Sequence, residues 1–165
     1  MSVSLYGSGN TVIQVQSTTK TDTFTMSGGT LTSVTGLSVS ITPQSTTSKI
    51  LVIYSITMIG QNSNSNSVFQ LLRGSTAIAQ GNANGSAPRL TGEVPYIGDP
   101  NSCASVGGNF LDAPSTTSSL TYSIQVASGG AGSVYVNRSQ NYGGSTNNYD
   151  GTFVSTITVM EIAYS

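Results

Sequence analysis

The sequence predicts an all-β protein built as an antiparallel sandwich, and three observations predict it. Apolar and β-branched segments of strand length alternate with clusters of Gly, Asn, Pro and Ser. No stretch sustains the 3.6-residue period of a helix. The gaps between apolar residues are filled by Ser and Thr and hardly at all by charge, with only 7% of residues charged. Thr and Val suit a pleated surface because their branched Cβ restricts χ1 to rotamers that a strand tolerates.

The length of 165 residues suits one domain with a core that needs neither disulfide nor metal. Residues 1–20 are expected to form an arm or a first strand, and residues 21–165 the sandwich itself. The expected strands, in order, are Thr11–Gln16, Thr21–Met26, Leu37–Thr42, Lys49–Ile59, Ser67–Arg73, Thr76–Ala79, Gly108–Asp112, Ser119–Ala127, Ser133–Asn137 and Thr152–Ile162. Turns are expected at Ser27-Gly28-Gly29, Asn84-Gly85, Gly107-Gly108, Gly129-Gly130, Gly143-Gly144 and Asp150-Gly151, where positive φ costs little. Gln61–Ser67 and Gly81–Ser105, the latter holding Pro88, Pro95 and Pro100, read as loops. Many short strands without helices leave sandwiches and closed barrels, and a jelly roll is the preferred form.

Two strands are apolar on both faces. In Lys49–Ile59, Ile50, Val52, Tyr54, Ile56 and Met58 share one face, and Leu51, Ile53 and Ile59 the other. In Thr152–Ile162, Phe153, Ile157 and Val159 oppose Val154, Met160 and Ile162, which stand with Thr156 and Thr158. A fully buried side chain of this kind contributes roughly 1.5–3 kcal/mol, so both strands belong in mid-sheet with a second layer or subunit over the back. Ile50, Val52, Tyr54, Ile56, Met58, Phe153, Ile157 and Val159 are therefore the expected core or trimer interface, and the purified protein is expected to be a homotrimer.

The composition argues against most chemistry. Histidine, the commonest general base, is absent, and a catalytic site would have to be improvised from six scattered acids. No enzyme activity and no cofactor are expected. Cys103 is the one cysteine, so no internal disulfide or thiolate zinc site can be assembled, and it reads as a small core residue. The cations Lys20, Lys49, Arg73, Arg89 and Arg138 are far apart, which makes nucleic acid an unexpected partner. The apolar run Ile50–Ile59 is too short to span a bilayer, and the opening lacks the basic and apolar regions of a secretory signal, so no membrane partner is expected.

Several residues invite functional readings. Tyr135, Arg138, Asn141, Tyr142 and Tyr149 combine rings with amide and charged groups that stack on and hydrogen-bond to sugars, so this loop is the candidate for a host surface glycan. Its competing reading is a polar loop whose tyrosines cover the sheet end. Val12, Ile13 and Val15 stand in a polar N-terminal stretch and are the candidate anchor, adding a strand to a partner's sheet edge; the alternative is a first strand of their own domain. Asp99 and Asn101 read as turn residues before calcium ligands, because that ion wants 6–8 oxygens. Arg89 with Glu93, and Arg73 with Asp112, are candidate ion pairs. Asn84-Gly85-Ser86 and Asn137-Arg138-Ser139 match the glycosylation sequon, as chance allows in so Asn- and Ser-rich a chain.

The segments SVTGLSVSITPQSTTSKILVIYSITM, FQLLRGSTAIAQGNA, LTYSIQVAS and GTFVSTITVMEIAY resemble a module of tailed-phage virion structural proteins. That module occurs in capsid-decorating or cement proteins and in tail-fibre domains, particularly those of marine and cyanobacterial phages. The resemblance runs from about Val15 to the end, rests above all on TGLSVSITP followed by SKILV, and carries no catalytic residues. It implies a jelly roll on the virion surface, with partners such as the major capsid protein. In topology the expected fold is also similar to trimeric tumour-necrosis-factor-like jelly rolls, which end on an apolar strand packed at the threefold axis. Nothing in the sequence forms a heptad shaft, so trimerisation would come from the globular body.

Overall fold

Alternation of apolar and hydroxyl residues makes strands here, and the way they pair decides which alternate residue turns inward. The computed structural model describes residues 10–60 and 66–163. The strands are β1 (Thr11–Lys20), β2 (Phe24–Ser27), β3 (Thr32–Ile41), β4 (Lys49–Gly60), β5 (Ser67–Arg73), β6 (Thr76–Ile78), β7 (Gly92–Val94), β8 (Ala104–Asp112), β9 (Leu120–Ser128), β10 (Ser133–Val136) and β11 (Ser155–Ala163). One short 3-10 turn covers Asn148–Asp150.

The first sheet runs β1-β11-β4-β10-β2, with β8 along the opposite edge of β4. The second runs β3-β9-β5-β6, with β7 beside the start of β5. Every described pair is antiparallel. Strands β1-β11-β4-β8 lie over β3-β9-β5, and the chain crosses from one sheet to the other at six of the ten connections between described strands, which makes the molecule a jelly-roll sandwich.

Several boundaries move for physical reasons. β1 continues to Lys20, paired throughout with β11, so Val12, Ile13 and Val15 belong to the chain's own sheet. β2 begins at Phe24, later than expected. β3 starts five residues before Leu37, because an irregularity between Ser33 and Ser38, with Gly36 at φ +80, lets pairing resume after a slip. Gly107-Gly108 is strand, not turn: a Cβ on Gly108 would stand 2.6 Å from the Tyr54 hydroxyl, so the glycine makes room for that ring. The expected loop Gly81–Ser105 contains β7, which lies beside β5 because Phe69 covers Gly92 in the same way, at 2.7 Å. Of the expected loop Gln61–Ser67, residues 61–65 lie outside the described residues and Ser67 already begins β5. Asp150 closes the 3-10 turn, and Thr152 makes an isolated bridge with Arg138 before β11 begins at Ser155.

The core fills the space between the sheets. Ile50, Val52, Ile56, Met58, Ile157 and Val159 from the first sheet meet Leu37, Val39, Phe69, Leu71, Tyr122 and Ile124 from the second. The rings of Tyr54 and Phe69 meet edge-on across the gap, 5.7 Å between centroids. A buried tie joins the sheets near one end. Asp112 on β8 accepts from Arg73 Nη1 at 2.8 and 2.9 Å, and from the Tyr122 hydroxyl at 2.7 Å. Burial and that carboxylate hold the Tyr122 hydroxyl protonated far above the usual phenol range.

Candidate functional site

Seven of the eight side chains expected as core or trimer interface, Ile50, Val52, Tyr54, Ile56, Met58, Ile157 and Val159, are buried between the chain's own sheets. Phe153 precedes β11 and is half-buried. These groups are occupied within one chain, and the residues that alternate with them face outward.

Those residues form an ordered surface. Register places Val15, Met160, Leu51 and Leu111 side by side across β1, β11, β4 and β8 on the outward face of the first sheet. Val12 and Ile162 form the next rung, and Ile53 stands beside the row on its other side. Val12, Val15, Ile53 and Leu111 are 49%, 52%, 38% and 46% exposed, while Leu51, Met160 and Ile162 are half-buried. Ile53 shares its rung with Ser17 and Thr158, which bond each other at 2.7 Å, and the rung beyond, Thr19, Thr156 and Ser55, is polar. The patch is therefore bounded. Leu111 lies in a strand that the sequence did suggest, Gly108–Asp112, but its outward place beside Leu51 is set by register with β4, which the residue pattern alone does not give.

The open edge of the first sheet adds to this surface. Among the described residues β1 pairs with β11 alone, which makes it the edge strand of this sheet. Ile13 sits at a register irregularity between Val12 and Gln14 and is 40% exposed.

Of the tyrosine-loop candidates, the fold brings three together. The Arg138 guanidinium lies 4.2 Å from the Tyr135 ring centre and 5.7 Å from that of Tyr142. Its nitrogens also donate to Thr25 Oγ1 and to the carbonyls of Ser139 and Gln140, so the stack is held from below. Tyr142 is 41% exposed. Asn141 points instead to Asn101, donating to its side-chain oxygen at 3.1 Å. Tyr149 lies in the 3-10 turn. Asp150 organises the same loop by accepting the N–H groups of Ser145 at 2.6 Å and Gly143 at 2.7 Å, which hold its carboxyl below the usual range.

The remaining candidates resolve simply. Arg73 pairs with Asp112; Arg89 turns away from Glu93 and donates to the Gly81 carbonyl. Asp99 binds the Asn101 N–H and the Ser102 hydroxyl, as a turn residue does. Burial pushes the half-buried Cys103 thiol up to about 11, which makes it a poor nucleophile at neutral pH. No cluster of three or more His, Cys, Asp or Glu is found among the described residues.

Asn137 carries a role that the sequon match concealed. It is fully buried at φ +60, a conformation Asn tolerates better than most residues. Its N–H donates to Thr57 O and its carbonyl accepts from Phe153 N. Its side-chain amide donates to Lys20 O and Asp22 O, and its side-chain oxygen accepts from Ser155. One residue thus ties the ends of β1, β4, β10 and β11.

Comparison with family models finds none that matches, and comparison with curated proteins finds none. Among solved structures the chain is similar to a chain in the structure of infectious bursal disease virus, Gx strain, at 10% identity and a TM-score of 0.47. The likeness covers 90% of this chain and 40% of that one.

Proposed function

We propose that this chain is a non-enzymatic virion structural protein, a homotrimeric jelly roll that decorates or cements the capsid surface. The sequence resemblance to tailed-phage capsid-decorating modules supplies the setting. The observation that carries the reading is the apolar row Val15–Met160–Leu51–Leu111, continued by Val12, Ile162 and Ile53. Single exposed apolar side chains are ordinary, but a contiguous row on a flat sheet is a surface that assembly covers. Cyclic packing of three copies would close it, leaving loops and sheet edges for other virion proteins such as the major capsid protein. Light scattering tests the assembly: a particle of three times the 16.9 kDa chain is expected, and a monomer at micromolar concentration overturns it. Particle reconstruction tests the location, with density expected at threefold or quasi-threefold positions of a capsid.

A second reading, a tail-fibre tip or receptor-binding module for a host glycan, is favoured by one observation. The stack of Tyr135, Arg138 and Tyr142 presents an aromatic face braced by a cation. Glycan-array binding that is lost in Tyr142→Ala supports this reading, and an array without signal removes it.

A further inference from the structure

Three buried oxygens toward one end of the first sheet have no hydrogen-bond partner: Gln14 Oε1, Ser48 Oγ and Glu161 Oε2. Gln14 and Glu161 lie on the inward side of two adjacent strands, β1 and β11, and Ser48 ends the loop that leads into the neighbouring β4. Gln14 lies opposite Glu161 across β1 and β11, and Glu161 lies opposite Ile50 across β11 and β4. Ser48 comes two residues before Ile50, immediately ahead of β4. Glu161 is 0% exposed and Ser48 is 1% exposed. The loop between β3 and β4 closes over them: Gln44 N–H donates to Glu161 Oε1 at 2.7 Å, and Ser48 N–H to Ser45 O at 3.2 Å.

These groups do not satisfy one another. A serine hydroxyl within reach of a carboxylate would donate to it, yet Ser48 Oγ and Glu161 Oε2 are both without partners. Glu161 takes part in neither of the ion pairs found among the described residues, Lys20–Asp22 and Arg73–Asp112. Among the described residues, then, a buried carboxylate oxygen without a partner stands close in register to an amide oxygen and a hydroxyl that are equally unpartnered, and these are a hard-oxygen donor set suited to a cation. One carboxylate neutralises one positive charge; a divalent ion would leave net charge in an apolar interior.

We propose that Glu161, Gln14 and Ser48 bind a monovalent hard cation of the sodium class inside the sandwich, clamping β1 and the β3–β4 loop to β11. The test is the melting temperature of the full chain in sodium chloride against N-methylglucamine chloride at equal ionic strength, which separates ion binding from screening. The wild-type protein is expected to melt several degrees higher in sodium, increasingly so as sodium rises, and Glu161→Gln to melt at the same temperature in both salts. Should Glu161→Gln fail to fold, Ser48→Ala keeps the carboxylate and is expected to need more sodium for the same shift. Equal wild-type melting in both salts overturns the proposal. So does a Glu161→Gln variant that keeps the full sodium response. A response to millimolar calcium at fixed sodium overturns the choice of a monovalent ion.

Discussion

The two sheets present opposite faces to their surroundings. On the second sheet the outward positions of β3 and β9 are hydroxyls and amides that bond one another: Ser40 with Thr121 at 2.8 Å, and Gln125 with Ser33 at 3.3 Å. On the first sheet the equivalent positions carry Val15, Met160, Leu51 and Leu111. Both sheets bury the same kinds of residue inward, so the contrast lies entirely in the other half of each alternation. A polar ladder is complete in water, whereas an apolar row lowers its free energy only by being covered. One outer face is thus finished in water, and the other carries the apolar row on which the proposed assembly rests.

The contrast breaks most severely when the tie beneath both faces is cut. Asp112→Ala leaves Arg73 without its carboxylate and the buried Tyr122 hydroxyl without an acceptor. The expected loss is about 3 kcal/mol, at the lower end for a buried pair because the Arg73 side chain keeps 28% exposure. Urea unfolding measures it, and a loss below about 1 kcal/mol would show the tie to be dispensable.

Next in size is a test of the faces themselves. Ile53→Glu combined with Leu111→Glu is expected to weaken self-association at least ~100-fold, about 2.7 kcal/mol, with the fold retained. The matched change Ser38→Glu on the second sheet is expected to leave the mass unchanged. Equal behaviour of the two variants in sedimentation would erase the distinction between the faces.

Smaller again is an effect belonging to neither face. The Asp150 carboxyl is held below its ordinary value of 3.8 by the N–H groups of Ser145 and Gly143. Its contribution is therefore fully present above the unfolded value and is lost as pH falls through the lower folded value. Amide exchange at Gly143 and Ser145 is expected to quicken there, and to be already quick at neutral pH in Asp150→Asn. Exchange that ignores both acid and substitution would refute the assignment. The smallest change expected is Ser40→Ala, which leaves an exposed Thr121 hydroxyl free to bond water, and stability is expected to hold within about 0.5 kcal/mol by thermal melting.

Much of this was legible in the residues. KILVIYSITMI announces a two-faced central strand, and β4 is one, flanked by β11 and β8. What the pattern withholds is which face turns inward, because Ile50 and Leu51 are equally apolar and only pairing with the second sheet decides. β7 is three residues long within a Pro-bearing stretch, too short for any period to register. The glycines of β8 and β7 look like turn signals locally; their role is to yield space to Tyr54 and Phe69, residues distant in sequence. Asn137 and Glu161 were opaque for the same reason, since a buried polar residue is understood only through its partners.

Asn137 also bears on how the sandwich forms and comes apart in time. Its side-chain amide reaches Lys20 and Asp22, 117 and 115 residues away, and its acceptor group meets Ser155 from the last strand. Contacts of such separation close large loops, whose entropy must be lost before the contact is gained, so they are expected to form late. Asn137→Ala is therefore expected to leave the folding limb of a chevron nearly unmoved and to speed the unfolding limb. On that expectation the residue is a latch set after assembly, which bears on how long the folded state lasts more than on how quickly it is reached.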